Sequence, residues 1–192
     1  MVGQIIVLIG PSGVGKTTLA ERAQSDGLAD RITTCTTRAP RPHETPNKDY
    51  YFMSLHEFSQ RESLGEFVEN EWIHGNRYGV LVHELSEALG AGKTAIISLG
   101  YGGASRVKEI WPQNVHVVGI LPPSTDSLKS RLRGRGAKED DMAIRLRSID
   151  GEAKSVRQLA DTIVVNDQFE EAYQQLRHVL NPSGCTRHAA DS

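Results

Sequence analysis

A stretch of nineteen residues near the start of the chain, IIVLIGPSGVGKTTLAERA (Ile5–Ala23), decides the fold class. Its first five residues form a continuous apolar run, which is typical of a parallel strand buried on both faces. A glycine-rich loop follows, and the residues after it have the composition of a helix. The loop matches the pattern G-x-x-x-x-G-K-[ST], whose fixed positions are occupied by Gly10, Gly15, Lys16 and Thr17.

This loop, with its strand before and helix after, predicts a site for the phosphates of a nucleoside triphosphate. Glycines allow a tight turn whose backbone N–H groups point inward, and the helix adds the positive end of its dipole. In this pattern the lysine reaches the β- and γ-phosphates, while the hydroxyl after it is a ligand of Mg²⁺. We therefore expect a nucleotide contact along the whole loop: Gly10, Pro11, Ser12, Gly13, Val14, Gly15, Lys16 and Thr17.

Composition excludes several other classes of protein. The 192 residues are 38% hydrophobic and 24% charged, with a formal net charge of -2, so no basic surface for a nucleic-acid polymer is expected. No apolar run approaches the roughly 20 residues that a membrane span requires. The two cysteines, Cys35 and Cys185, are too few and too distant to predict a disulfide framework. We expect a cytoplasmic protein.

The rest of the chain alternates short apolar strands with helices, which predicts an α/β fold: an open parallel sheet with helices on both faces. Two segments interrupt the alternation. Residues 35–79 are rich in Pro, Arg, Tyr and Gly and predict a small α+β insertion, so the core is expected at 1–34 and 80–180. A charged, glycine-containing segment, at about 131–145, predicts a mobile lid. Residues 181–192 show no periodicity and are expected to be disordered.

The insertion opens with a second group of phosphate-binding residue types. The segment TTRAPRPHETPNKDYYF (36–52) brings two arginines and two tyrosines together in a chain stiffened by proline. Two guanidinium groups and a tyrosine hydroxyl suit a second phosphate, on a molecule other than the triphosphate. This combination predicts phosphoryl transfer from the nucleotide to an acceptor that is itself phosphorylated.

From Gln4 to Leu180 the chain resembles the guanylate kinase family of P-loop nucleoside monophosphate kinases. The resemblance rests on the loop above and on further segments in family order: TTRAPR (36–41), DYYF (49–52), GEFVE (65–69), GNRYG (75–79), LPPS (121–124), RLRGRG (131–136) and VVND (164–167). It implies ATP and Mg²⁺ as cofactors and ATP-dependent conversion of GMP to GDP. The expected partners are therefore small nucleotides, with neither a nucleic acid nor a membrane.

The resemblance also implies roles for individual side chains. Glu69 and Thr34 would read the guanine base, and Asn166 would lie near the adenine of ATP. Thr17 would be the metal ligand. The acceptor phosphate would be held by Arg38, Arg41, Tyr50 and Tyr78. The groups acting on the transferring phosphoryl would be Lys16, Arg38, Arg131, Arg135 and Arg145.

Three positions depart from the family pattern. Where the family has LDIDVQG, this chain has ISLGYGG, so that Ser98 and Gly100 replace two aspartates, and Val80 replaces a hydroxyl that contacts the base. Ribosyl bisphosphate phosphokinases share the fold and similar departures, so a kinase for a sugar phosphate or another small phosphorylated acceptor remains an alternative. A non-catalytic interaction module of the guanylate-kinase type is a second alternative, although its loop would be expected to be degraded.

Overall fold

A computed structural model describes residues 3–42, 44–73, 75–134 and 151–181, with the side chains of 132–134 excluded. The part of the expected lid that follows residue 134, and residues 182–192 of the expected tail, lie outside the described residues. Within the described ranges, no helix combines the length and the apolar character needed to cross a membrane.

The main sheet has five strands, and every neighbouring pair is parallel. In spatial order they are β2 (Asp30–Arg31), β7 (Thr94–Ser98), β1 (Gln4–Ile9), β8 (Val115–Leu121) and β9 (Thr162–Val165). β1 lies in the centre, and all its residues after Gln4 are fully buried, as its continuous apolar run predicts. The predicted open parallel sheet is therefore confirmed.

A second sheet of four strands follows the first in the chain. Its spatial order is β4 (Tyr50–Phe52), β3 (Thr34–Thr36), β6 (Asn76–Leu81) and β5 (Phe67–Ile73). β3 and β4 are parallel, whereas β6 runs antiparallel to both β3 and β5. This sheet occupies the segment in which the sequence predicts a small α+β insertion.

Seven helices connect the strands within the described residues. They are α1 (Lys16–Ser25), α2 (Leu55–Ser63), α3 (Val82–Gly90), α4 (Tyr101–Ile110), α5 (Thr125–Gly134), α6 (151–159) and α7 (Phe169–Leu180). The segment SLHE (54–57) predicts a capping box at the start of α2, and this box is present in part, because the backbone N–H of Glu57 donates to Ser54 Oγ at 3.1 Å.

Two helix boundaries differ from the sequence prediction. The sequence predicts a helix from Ala104 to Ile110, but α4 begins at Tyr101 and includes two glycines in its first turn. Glycine disfavours a helix, so packing of this turn against β5 overrides the local preference. The expected lid begins with helix, because Arg131–Gly134 form the last turn of α5. Leucine and arginine are good helix formers, and they extend the helix as far as the glycine.

The main sheet has a hydrophobic cluster on each face, since alternate residues of β1 point in opposite directions. Ile5, Val7 and Ile9 pack with residues of α3, α4 and α6, while Ile6 and Leu8 pack with α1 and α7. Helices therefore cover both faces, as predicted. A third, small cluster of Cys35, Phe58 and Leu81 joins the second sheet to α2, separately from the other two.

Candidate active site

The glycine-rich loop Gly10–Thr17 joins β1 to α1 at the carboxyl end of the main sheet, as predicted. The backbone φ angles of Gly10 and Gly15 are 143° and 102°, and residues with a side chain rarely adopt such values. A Cβ at Gly10 would lie 2.1 Å from the Ile120 carbonyl oxygen, and a Cβ at Gly15 would lie 2.4 Å from Asn166 Nδ2. Both glycines are therefore required by the backbone angles and by close neighbours.

The Lys16 side chain folds back onto this loop and forms hydrogen bonds with its backbone. Its Nζ donates to the carbonyl oxygens of Gly10 (2.6 Å) and Pro11 (3.0 Å). Burial lowers the pKa of Lys16 to about 8, although the nearby charge of Glu152 acts in the opposite direction. An anion in the loop would restore the charged form by pairing with the ammonium group. The N-cap residue of α1, Gly15, provides no side-chain cap, so the first-turn N–H groups face a position suited to phosphate.

Asn166 supports this loop from behind. It is buried, and its Nδ2 donates to the Val14 carbonyl oxygen at 2.7 Å, while its backbone N–H donates to Leu121. Arg131 lies beside it, donating through Nη1 to the Asn166 carbonyl (2.8 Å) and through Nη2 to the Asp167 carbonyl (3.0 Å). The observed role of Asn166 is thus to hold the loop. Its predicted position near the adenine of ATP stays a prediction.

The predicted phosphate-binding cluster on the second sheet comes together around Arg38. Arg38 Nε donates to the Tyr78 hydroxyl at 3.3 Å, and its guanidinium carbon lies 5.5 Å from the centre of the Tyr50 ring. The Tyr50 and Tyr78 rings meet edge to face at 6.1 Å. Three of the four residues assigned to the acceptor phosphate therefore share one location.

Glu44 is part of the same cluster, and the sequence analysis did not identify it. Both its oxygens accept from the Arg38 guanidinium, at 3.0 and 2.9 Å, and Oε2 also accepts from the Arg41 backbone N–H at 2.7 Å. These hydrogen bonds lower the pKa of Glu44 to about 2. Glu44 fixes the orientation of Arg38 and the turn that carries Arg41. A carboxylate three residues after Arg41, within the basic segment, was the available signal.

A cavity of about 390 Å³ connects this cluster with the glycine-rich loop. Thr17 and Ser98 line it from the main sheet, and Thr34, Arg41 and Tyr50 line it from the second sheet. Arg41 is exposed, and it is the fourth residue assigned to the acceptor phosphate. Thr17 of the loop therefore borders a common space with Arg41 and Tyr50 of the second group.

A second cavity of about 320 Å³ shares Thr34, Tyr50 and Ser98 with the first and extends along β5. Glu69 lies in it and contacts the first turn of α4, where a Cβ at Gly103 would come within 1.9 Å of its carboxylate. Burial, followed by the neighbouring charge of Glu71, raises the pKa of Glu69 to about 7. A carboxylate in this position can accept two N–H groups from a ligand.

A β-bulge directs Glu69 into this cavity. The pairing of β5 with β6 shifts between Phe67, opposite Leu81, and Glu69, opposite Val80. Phe67 consequently stacks on Phe58 on one side of the second sheet, with ring centres 4.3 Å apart, while Glu69 points to the other side. The extra residue changes which face the following side chains occupy.

All three departures from the family pattern line the second cavity. Val80 is opposite Glu69, Ser98 ends β7, and Gly100 is the N-cap residue of α4. Glu71 lines this cavity too and was not identified from the sequence, although its spacing of two residues from Glu69 on a strand was a signal. Of the expected lid arginines, Arg135 and Arg145 lie outside the described residues.

A parallel sheet whose central strand leads through a glycine-rich loop into a helix is the architecture of P-loop nucleotide-binding proteins. A family model described as "Guanylate kinase" matches residues 2–183. The chain belongs to the guanylate kinase family, which confirms the resemblance seen in the sequence motifs.

Individual relatives agree with this family assignment. The chain is 40% identical over 182 residues to a guanylate kinase of Anaeromyxobacter dehalogenans, covering 93% of this chain and 80% of the relative. It is 35% identical to one of Dechloromonas aromatica, covering 99% and 97%. Among solved structures, a guanylate kinase from Anaplasma phagocytophilum has a TM-score of 0.75 at 28% identity, covering 97% of this chain and 88% of that one.

Proposed function

We infer that this protein transfers the γ-phosphoryl group of ATP to GMP, forming ADP and GDP. The observation that carries this inference is the pair of adjoining cavities between the glycine-rich loop and the second sheet. Thr17, Arg41 and Tyr50 border one cavity, and Glu69 lies in the other. In a family of guanylate kinases, this arrangement offers a donor position and an acceptor position along one continuous space.

On the donor side, we propose that the loop Gly10–Thr17 binds the phosphates of ATP. Phosphoryl transfer passes through a loose transition state, so positive charge placed around the moving group is the main contribution of the protein. The buried Lys16 ammonium group supplies such charge. Asn166 holds the loop through its hydrogen bond to Val14, and we assign Arg131, Arg135 and Arg145 of the proposed lid (131–145) to the transferring phosphoryl group.

The residues present fit a magnesium ion. Among the described residues, no three His, Cys, Asp or Glu side chains cluster in a way that could hold a metal. Mg²⁺ keeps several water molecules and binds mainly through substrate phosphates, so few protein ligands are needed. The Thr17 hydroxyl would be its ligand, and Ser98 in the same cavity would orient one of its waters. Bound there, the ion would neutralise charge on the phosphates.

On the acceptor side, we propose that residues 35–79 form the acceptor-binding region and that 1–34 and 80–180 form the core. Arg38, Arg41, Tyr50 and Tyr78 would bind the phosphate of GMP. Glu69 would accept N1–H and one N2–H of guanine, with Thr34 assisting. Adenine has neither donor on the corresponding edge, so a buried carboxylate facing it would lose both partners.

A sugar bisphosphate is the alternative acceptor, because Val80 and Gly100 lack polar groups that could contact the nucleoside and Ser98 lacks the carboxylate expected near the metal. Glu69 and Glu71 argue against it, since two carboxylates in the cavity would repel a second phosphate group. The intact loop argues against a non-catalytic interaction module. We further propose that the protein is cytoplasmic and acts on small nucleotides, without a nucleic-acid or membrane partner.

The test is an ADP-release assay with GMP, dGMP, IMP, AMP and ribose 1,5-bisphosphate as acceptors. We expect GMP to have the highest kcat/KM. We expect Glu69→Ala to remove most of the preference for GMP over AMP, while Glu87→Ala, at an exposed carboxylate of α3, leaves it unchanged. Phosphorylation of ribose bisphosphate without nucleotide turnover, or an unchanged preference in Glu69→Ala, would contradict the proposal.

A further inference from the structure

Glu71 is a second carboxylate in the cavity of Glu69. The two residues are two positions apart on β5, beyond the bulge, and both line this cavity. Oε2 and Oε1 of Glu71 lie 3.8 and 4.0 Å from the position that a Cβ at Gly100 would take. The Glu71 carboxylate therefore lies beside the N-cap position of α4, at the distance of ordinary van der Waals contact from a Cβ there.

Neither carboxylate is neutralised within the described part of the chain. No ion pair or hydrogen bond joins Glu69 or Glu71 to another described side chain, and two arginines that follow or belong to strands of the second sheet have other carboxylate partners. Arg38 pairs with Glu44, and Arg77 pairs with Glu62. Two adjacent carboxylates without a cation suit a ligand that presents several N–H donors on one side.

Guanine has three such donors: N1–H and the two hydrogens of its 2-amino group. One carboxylate can accept N1–H and the amino hydrogen beside it, which leaves the amino hydrogen on the sugar side without a partner. An unpaired donor in a cavity is costly, so a second acceptor on that side would contribute to affinity.

Strand register brings Glu71 closer than Glu69 to the residues assigned to the acceptor phosphate. Glu69 is opposite Val80, whereas Glu71 is opposite Tyr78, which belongs to the cluster assigned to the acceptor phosphate. Moving along β5 from Glu69 to Glu71 therefore leads from the base toward the phosphate. The sugar-side hydrogen of the 2-amino group points in this direction when Glu69 holds the Watson–Crick edge.

We propose that Glu71 is a specificity-determining residue that accepts the sugar-side N2–H of guanine, so that Glu69 and Glu71 together read all three N–H donors. This assignment rests on the proposed function of the site. It places a base-reading carboxylate on β5, next to the position at which Gly100 offers no polar side chain.

The test compares Glu71→Ala with wild type, using GMP, dGMP and IMP at pH 8, where Glu69 is ionised in both proteins. IMP has N1–H but no 2-amino group. We expect kcat/KM for GMP and dGMP to fall by about ten- to hundredfold, as for loss of a hydrogen bond to a charged group. We expect IMP to be unaffected. Glu87→Ala is the matched control for the change in net charge.

A second substitution tests the position of the carboxylate. Asp is a preferred N-cap residue, and Gly100 has ordinary angles (φ -72°, ψ 179°), so Gly100→Asp is compatible with the fold. In the Glu71→Ala background, we expect Gly100→Asp to restore part of the lost activity with GMP. In the wild-type background, we expect it to lower activity with GMP, because the new carboxylate would lie against Glu71.

The outcomes separate this assignment from the proposed function. If the wild-type protein does not phosphorylate GMP, both fail. If the wild type is active and Glu71→Ala is indistinguishable from it, the role of Glu71 is wrong and the proposed function stands. Equal losses with GMP and IMP would overturn the contact with the 2-amino group.

Discussion

The two halves of the site are built differently. The proposed donor half is one continuous segment, Gly10–Thr17, which offers backbone groups and one lysine to a phosphate. The acceptor half is assembled from side chains on β3, β4, β5, β6 and the β7–α4 junction. A site formed by backbone N–H groups is disrupted when one of its glycines is replaced. A site formed by side chains on several strands can lose a contact on one strand and gain an equivalent contact on another.

This difference explains where the chain departs from its family. Val80, Ser98 and Gly100 all line the acceptor half, and the fixed positions of the glycine-rich loop are complete. In the proposed arrangement, Glu71 supplies from β5 a carboxylate that Gly100 does not. Three substitutions and one change of pH test this contrast between the donor half and the acceptor half, in order of decreasing expected effect.

Lys16→Ala tests the donor half. We expect kcat to fall by about 10² or more, because a preorganised charge at the transition state is worth on the order of 3 kcal/mol. The fold should remain, since Lys16 contacts only loop carbonyls. The measurements are ADP release and thermal unfolding, with the exposed Lys154→Ala as control. Near wild-type turnover in folded Lys16→Ala protein would remove the loop from the mechanism.

Gly103→Ala tests the acceptor half without touching a polar residue. The added Cβ would come within 1.9 Å of the Glu69 carboxylate, which must rotate away, so we expect kcat/KM for GMP to fall at least tenfold. Stability should be kept or increased, because alanine is favoured over glycine in helices by up to about 1 kcal/mol.

The adjacent Gly102→Ala is a matched control for this substitution. Its Cβ would lie 3.9 Å from Glu69 Oε2, which is ordinary contact, so it adds the same methyl group to the same helix turn without displacing Glu69. Equal activity of the two alanine variants would show that the position of Glu69 does not limit GMP binding.

Arg41→Lys asks whether charge alone is sufficient at the acceptor phosphate. Lysine keeps the positive charge but cannot make the two-pronged contact of a guanidinium group. We expect KM for GMP to rise about tenfold, consistent with losing one charge-assisted hydrogen bond. KM for ATP should not change. If steady-state kinetics give an unchanged KM for GMP, Arg41 is an ordinary surface residue.

The acceptor half should also depend on pH, and in the direction opposite to that of the donor half, where Lys16 has a pKa lowered to about 8 and loses its charge as pH rises. The pKa of Glu69 is raised to about 7, so its carboxylate is mostly protonated at pH 6 and mostly ionised at pH 8. Only the ionised form accepts both guanine donors, and KM for GMP should therefore fall several-fold as pH rises through 7.

Glu69→Gln is the control for this pH dependence and should remove it. The sign for stability is opposite to that for binding. Because the folded-state pKa lies above the unfolded value of 4.5, folding binds a proton between these values, and this contribution to the free energy of unfolding is lost as pH rises through 7. A KM for GMP that is constant from pH 6 to pH 8 in the wild type would contradict the role of Glu69.

The same contrast determines how much the sequence could reveal. The strand before the glycine-rich loop and the helix after it were predicted from a contiguous apolar run and a loop motif, because both depend on local physics. The start of α4 at Tyr101 was not predicted, since tertiary packing with β5 overrides the low helix preference of its glycines. Glu44 and Glu71 were missed because their partners, Arg38 and the edge of α4, meet them only in the folded chain.

The small cluster around Cys35 has a consequence for experiments on the acceptor region. Cys35 is buried against Phe58 and Leu81, and burial raises the pKa of its thiol to about 12, so it is unreactive toward thiol reagents while this cluster is closed. In a Cys185→Ser background, its rate of labelling would report transient opening of the second sheet alone. The rate of Cys35 labelling would thus measure how often the second sheet opens, and nucleotide binding to the proposed acceptor cavity should lower this rate.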